Sequence, residues 1–173
     1  MTQELIDLKT SILEGRYADA LAIVDELEGM SKQANLRQIK SFLRILLILL
    51  IKNQLEQRLT NSWAASIRNA IREIKAVNLK DNQKSYYINK DEWETVIEEV
   101  IEDAIADASE EVLNRKYTRS QLSAILDRSQ ILTTATKFLA LTYTYSAKEL
   151  PAIMDDYLAQ LAGGEDWINR INS

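Results

Sequence analysis

Only five residues in this chain of 173 break a helix through their backbone chemistry: Gly15, Gly29, Gly163, Gly164 and Pro151. Residues 30–150 contain neither glycine nor another proline. Parallel α/β folds need many turns, and phosphate-cradling loops need clustered glycines. Neither can be built from so few. Ala, Leu, Ile, Glu, Lys and Gln, all good helix formers, are abundant instead. The expected fold is therefore all-α: a compact multi-helix bundle of about six to eight helices, in a single domain over 1–173, with a long buried central helix.

Apolar spacing places the helices. Leu5, Leu8 and Ile12 predict a first helix over about 3–14, ended by Gly15. Ala20, Leu21, Val24 and Leu27 predict a second, closed by Gly29, so the two should form an antiparallel hairpin. The segment Leu13–Leu21 resembles half of a tetratricopeptide repeat, but nothing echoes it about 34 residues later, and a solenoid is rejected. A third and longest helix runs from about Ser31 to Arg58 and is apolar nearly all round. Its run Ile45–Ile51 is seven residues, where a membrane span needs about twenty. No membrane span is expected.

Thr60, Asn61 or Ser62 can cap a fourth helix with the stripe Trp63, Ile67, Ala70, Ile71, Ile74 and Val77. Residues 81–90 read as a polar loop. Asp91 and Glu94 resemble a capping box before a fifth helix carrying Trp93, Val96, Ile97, Val100, Ile101, Ala104, Ile105, Ala108 and Val112. The fourth and fifth helices are expected to pack on each other through these stripes. Thr118 and Gln121 form a further box. Leu141–Tyr145 has strand propensity, but a lone strand has no partner, so helix is expected to about 142. Pro151 starts the last major helix, Gly163-Gly164 stops it, and Trp167, Ile168 and Ile171 form an apolar tail.

Three segments carry a family resemblance. Val24-Asp25-Glu26-Leu27-Glu28-Gly29-Met30-Ser31-Lys32, Ile39–Lys52 and Asn61-Ser62-Trp63-Ala64-Ala65-Ser66-Ile67 stand in the order and spacing of a helical signature. Together they resemble the domain of unknown function numbered twenty-nine, over roughly 5–110. The resemblance implies an all-helical fold, frequent in cyanobacteria, with no established activity. Relatives commonly carry a His, a Trp and an aromatic where Leu49, Asn53 and Leu55 stand here, so no site built on those groups carries over. The helices from about 115 to 173 match nothing in that pattern.

Absences narrow the chemistry. With no His and no Cys, triads, histidine or thiolate metal sites, disulfides and iron–sulfur clusters are out of reach. A disulfide-free chain without a basic-then-apolar leader is expected in the cytoplasm. No catalytic residue, cofactor or metal is implied. Carboxylates could still hold a cation: Glu98, Glu102 and Asp103 could supply oxygens to Mg²⁺ or Ca²⁺, but a solvated helix face is the expectation.

Charge is split along the chain. Residues 31–90 hold 12 Lys and Arg against 3 Asp and Glu, while 91–111 hold 10 acids and no cation. Arg37, Lys40 and Arg44, with Arg68, Arg72 and Lys75 as a stripe, are a candidate basic surface that could track phosphates. The competing expectation is that this face pairs with the acidic fifth helix. Tyr86, Tyr87 and Ile88 in the polar loop, with Trp167 and Ile168 in the tail, are the candidate interaction surface, the other expectation being that they fold back on the bundle. The expected role is a non-enzymatic interaction or adaptor protein, with a nucleic-acid-associated protein as the alternative. A homodimer is expected, because helices three to five supply more apolar stripe than the terminal helices cover, with Tyr86, Tyr87 and Ile88 as anchors.

Overall fold

The computed structural model describes residues 2–171, which form eight α-helices. They are α1 (Gln3–Leu13), α2 (Tyr17–Glu56), α3 (Asn61–Asn78), α4 (Trp93–Ser109), α5 (Arg119–Ile125), α6 (Arg128–Thr144), α7 (Leu150–Ala159) and α8 (Gly164–Ile171). Single 3₁₀ turns at Lys90–Glu92 and Val112–Arg115 enter α4 and leave it. The all-α class is as the sequence requires. By its internal contacts the chain divides into two units, one up to Arg37 and one from Gln38.

In the first unit Gly15 ends α1 as expected. Its φ of 73° is left-handed, and the N–H groups of Gly15 and Arg16 bond back to the carbonyls of Ile12 and Ser11. Gly29, in contrast, does not close a helix: α2 runs straight through it. Where neighbours favour helix and no cap follows, one glycine costs only about 1 kcal/mol relative to alanine. The predicted second and third helices are thus one. That helix is not buried along its length. Up to Arg37 only Ala20 among its residues is buried, and burial begins in earnest at Ile39 and runs to Asn53, with Ile45 still 43% exposed.

The second unit holds the core. From α2 it takes Ile39, Leu43, Leu46, Leu47, Leu50 and Ile51. From α3 it takes Ile67, Ala70, Ile71 and Ile74 of the predicted stripe and also Ala64, leaving Trp63 and Val77 half-buried. Thr60 is the cap, its hydroxyl accepting from the Trp63 N–H at 3.0 Å. Helix α4 buries Trp93, Ile97, Val100, Ile101, Ala104, Ile105 and Ala108. Its capping box lies earlier than expected, on Asn89 and Glu92. The Thr118/Gln121 box before α5 is present.

Helices α3 and α4 are joined chiefly through a third helix. Each packs on α6, which presents Ile131, Ala135, Phe138, Leu139 and Leu141. Helix α6 continues to Thr144 because its last turn has work to do. The Tyr143 hydroxyl donates to the Ile88 carbonyl at 2.5 Å and accepts from the Trp93 indole N–H at 2.8 Å and the Asn78 amide at 3.1 Å. Asn78 is 1% exposed, and its side chain also exchanges two bonds with the backbone of Ile88. One polar cluster therefore ties the end of α3, the following loop, the start of α4 and the end of α6. It does so with its buried polar atoms satisfied, the condition under which such a cluster is tolerated in a core.

Candidate functional site

The predicted aromatic surface is mostly interior. Ile88 is 3% and Trp167 1% exposed, and Tyr86, Tyr87 and Ile168 are half-buried. The loop after α3 folds back on itself. Leu79 and Tyr86 form an isolated antiparallel bridge, and the Tyr87 N–H bonds to the Asn78 carbonyl at 2.9 Å. The Tyr86 ring meets that of Tyr143 edge-on, 4.7 Å between centroids, and Lys80 lies 5.5 Å over the Tyr87 ring. Burial pushes the Tyr143 hydroxyl up to about 12. Ile88 is thus a core residue reached by a turn whose polar sequence concealed it.

The apolar tail docks rather than projects. Helix α8 lies on α7 and seals Trp167 into the second unit. Gly163 makes this possible, since its φ is 72° and a Cβ there would stand 2.7 Å from the Arg58 Cα. The Asn53 amide donates to the carbonyls of Ala162 and Arg58, and Arg170 donates to that of Leu59.

The candidate basic residues separate by helix. On α2, Lys40 pairs with Glu99 at 2.9 Å and Arg44 pairs with Asp107, and further along Lys52 pairs with Glu111 at 2.8 Å. Lys40 and Arg44 thus face the acidic helix α4 within one chain, as the pairing expectation had it. The α3 half does not. Arg68 binds Asp155 of α7 at 2.8 Å, Lys75 donates to the Thr142 carbonyl of α6 at 2.7 Å, and Arg72 reaches its own helix neighbours Asn69 and Glu73. The i, i+4, i+7 stripe is divided among three different partners. Arg37 belongs to the first unit, where it is exposed.

The acidic face of α4 is used as a set of ion-pair partners. Glu102 accepts from Arg128 at 2.6 Å and from Arg119 at 3.4 Å, and the Arg128 bond above all holds its carboxyl below the usual range. Among the described residues no three acid side chains converge as a metal-holding group. A cleft of about 340 Å³ lies between α4 and α6, floored by Ile97, Ile101 and Leu132 and edged by Glu98, Arg128 and Ser129. The turn beyond α4 carries three successive left-handed residues, Leu113, Asn114 and Arg115. Each costs about 1–2 kcal/mol, which reverses the chain into α5 without a glycine.

The feature that sequence reasoning passed over is in the first unit. Among the described residues ten large hydrophobics are exposed, and seven of them precede Arg37: Leu5, Ile6, Ile12, Leu13, Tyr17, Leu21 and Met30. Among its described residues only Ser11 and Ala20 are buried. The periodic stripe of α1 was legible as Leu5, Leu8 and Ile12. Ile6 and Leu13, lying off that stripe, were the available signal that the helix is apolar over more than one neighbour covers.

Among the described residues no helix is long and apolar enough to cross a membrane. No curated protein and no solved structure matches the chain. The family described as "Domain of unknown function DUF29" matches residues 13–135, and the chain belongs to it. The match begins later and ends later than the resemblance read from the sequence, reaching past α5 into α6.

Proposed function

We propose that this member of the DUF29 family is a non-enzymatic interaction protein whose N-terminal hairpin is the docking element. One observation carries the reading: most of the exposed large apolar side chains are concentrated in a unit that buries almost nothing of its own. Exposed large apolar side chains concentrated in one unit support an interaction surface there. A helical pair of under forty residues rarely holds itself together without a partner, a metal or a crosslink, and no cysteine is present to supply the crosslink. The second unit contributes a closed core that holds its polar groups and its tail in place. An adaptor or regulator in the cytoplasm fits this division of labour.

The alternative, a nucleic-acid-associated protein reading phosphates with α2 and α3, draws less support. Lys40, Arg44, Arg68 and Lys75 each have a partner inside the chain, and phosphate would have to displace it. Two measurements separate the readings. Capture from the native host with the full chain should retain a partner set that a Leu13→Asp/Leu21→Asp variant of equal helicity loses. Retention of the same set by the variant would sink the docking role of the hairpin. Salt-dependent binding to nucleic acid at micromolar affinity, lost on Arg72→Ala, would favour the alternative.

A further inference from the structure

The cleft between α4 and α6 joins an apolar floor to charges of both signs at its edge. Each helix supplies residues at i, i+1 and i+4: Ile97, Glu98 and Ile101 from α4, and Arg128, Ser129 and Leu132 from α6. The two isoleucines are buried and Leu132 is half-buried. Neither charged residue is spent on the other. Helix α4 has no cation of its own. Lys40 is taken by Glu99, and Arg119 and Arg128 by Glu102, so among the described residues Glu98 has no ion-pair partner. Arg128 donates to Glu102 and to the Ser123 hydroxyl, each at 2.6 Å, through Nη2 alone. Its Nε and Nη1 donors, part of a five-donor fork, have no acceptor among the described residues. Glu102 also serves Arg119. Two guanidinium groups therefore share one carboxylate, and positive charge is left over beside the cleft.

We propose that this cleft binds a free amino acid with an aliphatic side chain. The floor takes the side chain, Arg128 and the Ser129 hydroxyl take the carboxylate, and Glu98 takes the ammonium group. Charge complementarity selects this class over its chemical neighbours. An aliphatic acid sets its carboxylate beside Glu98, and an aliphatic amine sets its ammonium beside Arg128. A neutral hydrocarbon leaves both charges unmatched. A zwitterion meets both, and the planar guanidinium fork suits a carboxylate in particular. The volume of about 340 Å³ lies at the small end of ligand pockets, as a single aliphatic residue requires. The site belongs to the second unit and does not depend on the hairpin. It gives an interaction protein a means of responding to a small metabolite.

Calorimetric titration of the full chain with L-leucine tests this, with labelled methyl groups reporting the place. A ligand of about nine non-hydrogen atoms should bind with a dissociation constant on the order of 0.1–1 mM. The methyl resonances of Ile97, Ile101 and Leu132 should move together along the titration. Isocaproate, which lacks the ammonium group, and isoamylamine, which lacks the carboxylate, should each bind about tenfold more weakly. Glycine, which lacks the side chain, should give no measurable heat. Glu98 is exposed, so Glu98→Gln leaves the fold intact and supplies the decisive arm. It should weaken leucine about three- to fivefold and strengthen isocaproate, a crossed effect that a purely structural role for Glu98 does not produce. Absence of saturable heat and methyl shifts up to about 20 mM leucine, well above the expected range, overturns the proposal. So does isocaproate or isoamylamine binding as tightly as leucine, or a Glu98→Gln chain that binds leucine unchanged.

Discussion

The two units use similar residues to opposite ends. From Gln38 onward, leucines and isoleucines at helical spacing are sealed in a core that α6 organises, with Trp93, Phe138 and Trp167 each 1% exposed. Before Arg37, leucines and isoleucines at the same spacing stay largely in water. Periodicity reports that a residue belongs to the apolar face of a helix. It does not report whether a neighbour covers that face. In the second unit the neighbours come from the same chain. In the first, most of the apolar side chains have no such cover from the chain.

The comparison breaks most visibly in the core. Phe138 is fully buried on α6 with its ring 6.1 Å from that of Tyr157. Phe138→Ala should destabilise the second unit by about 3–5 kcal/mol in chemical denaturation, the range for removing a buried aromatic. A loss below about 1 kcal/mol would mean that α6 is not the organising element.

What the sequence made legible, and what it did not, follows the same line. The α3 and α4 stripes, a cap among Thr60, Asn61 and Ser62, and the Thr118/Gln121 box are local patterns, and these survive into the structure. The two glycines show where local reading stops. Gly15 sits at φ 73° and ends a helix, while Gly29 sits inside one, and only the surrounding stop signals distinguish them. Sequence leaves Ile88 and Trp167 open between a partner surface and the bundle interior, because polar or terminal sequence surrounds them. Their burial depends on distant groups: Asn78 and Tyr143 for the first, and the close approach of Gly163 to Arg58 for the second. The split in charge did foretell the α2–α4 ion pairs. It did not foretell that Arg68 and Lys75 turn to α7 and α6, because which helix lies beside α3 is a tertiary fact.

The polar cluster sharpens the comparison by pH. The folded-state hydroxyl of Tyr143 is pushed up to about 12, chiefly by burial, above an ordinary value near 10. A folded group that holds its proton more tightly than the unfolded one contributes stability that is complete below the unfolded value and lost as pH climbs to the folded one. Urea midpoints should therefore be level in this respect below pH 10 and fall between about pH 10 and 12. Tyr143→Phe should start lower, because Asn78 and Trp93 each lose a partner, and should flatten the decline. An equal slope in both chains would assign the loss to other groups.

The smallest effect is expected in the first unit, and its dependence on concentration is the informative part. Leu13 is 75% exposed, so Leu13→Ser removes little packing from an isolated chain. At low micromolar concentration thermal unfolding should shift by no more than the equivalent of about 0.5 kcal/mol, the usual range for surface changes. If α1 is covered by a second copy, association adds stability that grows with chain concentration, because the partner binds the folded form only. The wild-type midpoint should then rise as the chain is concentrated to hundreds of micromolar, and the Leu13→Ser midpoint should stay nearly level. The gap between the two curves measures how much the uncovered hairpin lacks when it is alone. Parallel curves would place Leu13 outside any self-association surface and leave its apolar face for a partner of different sequence.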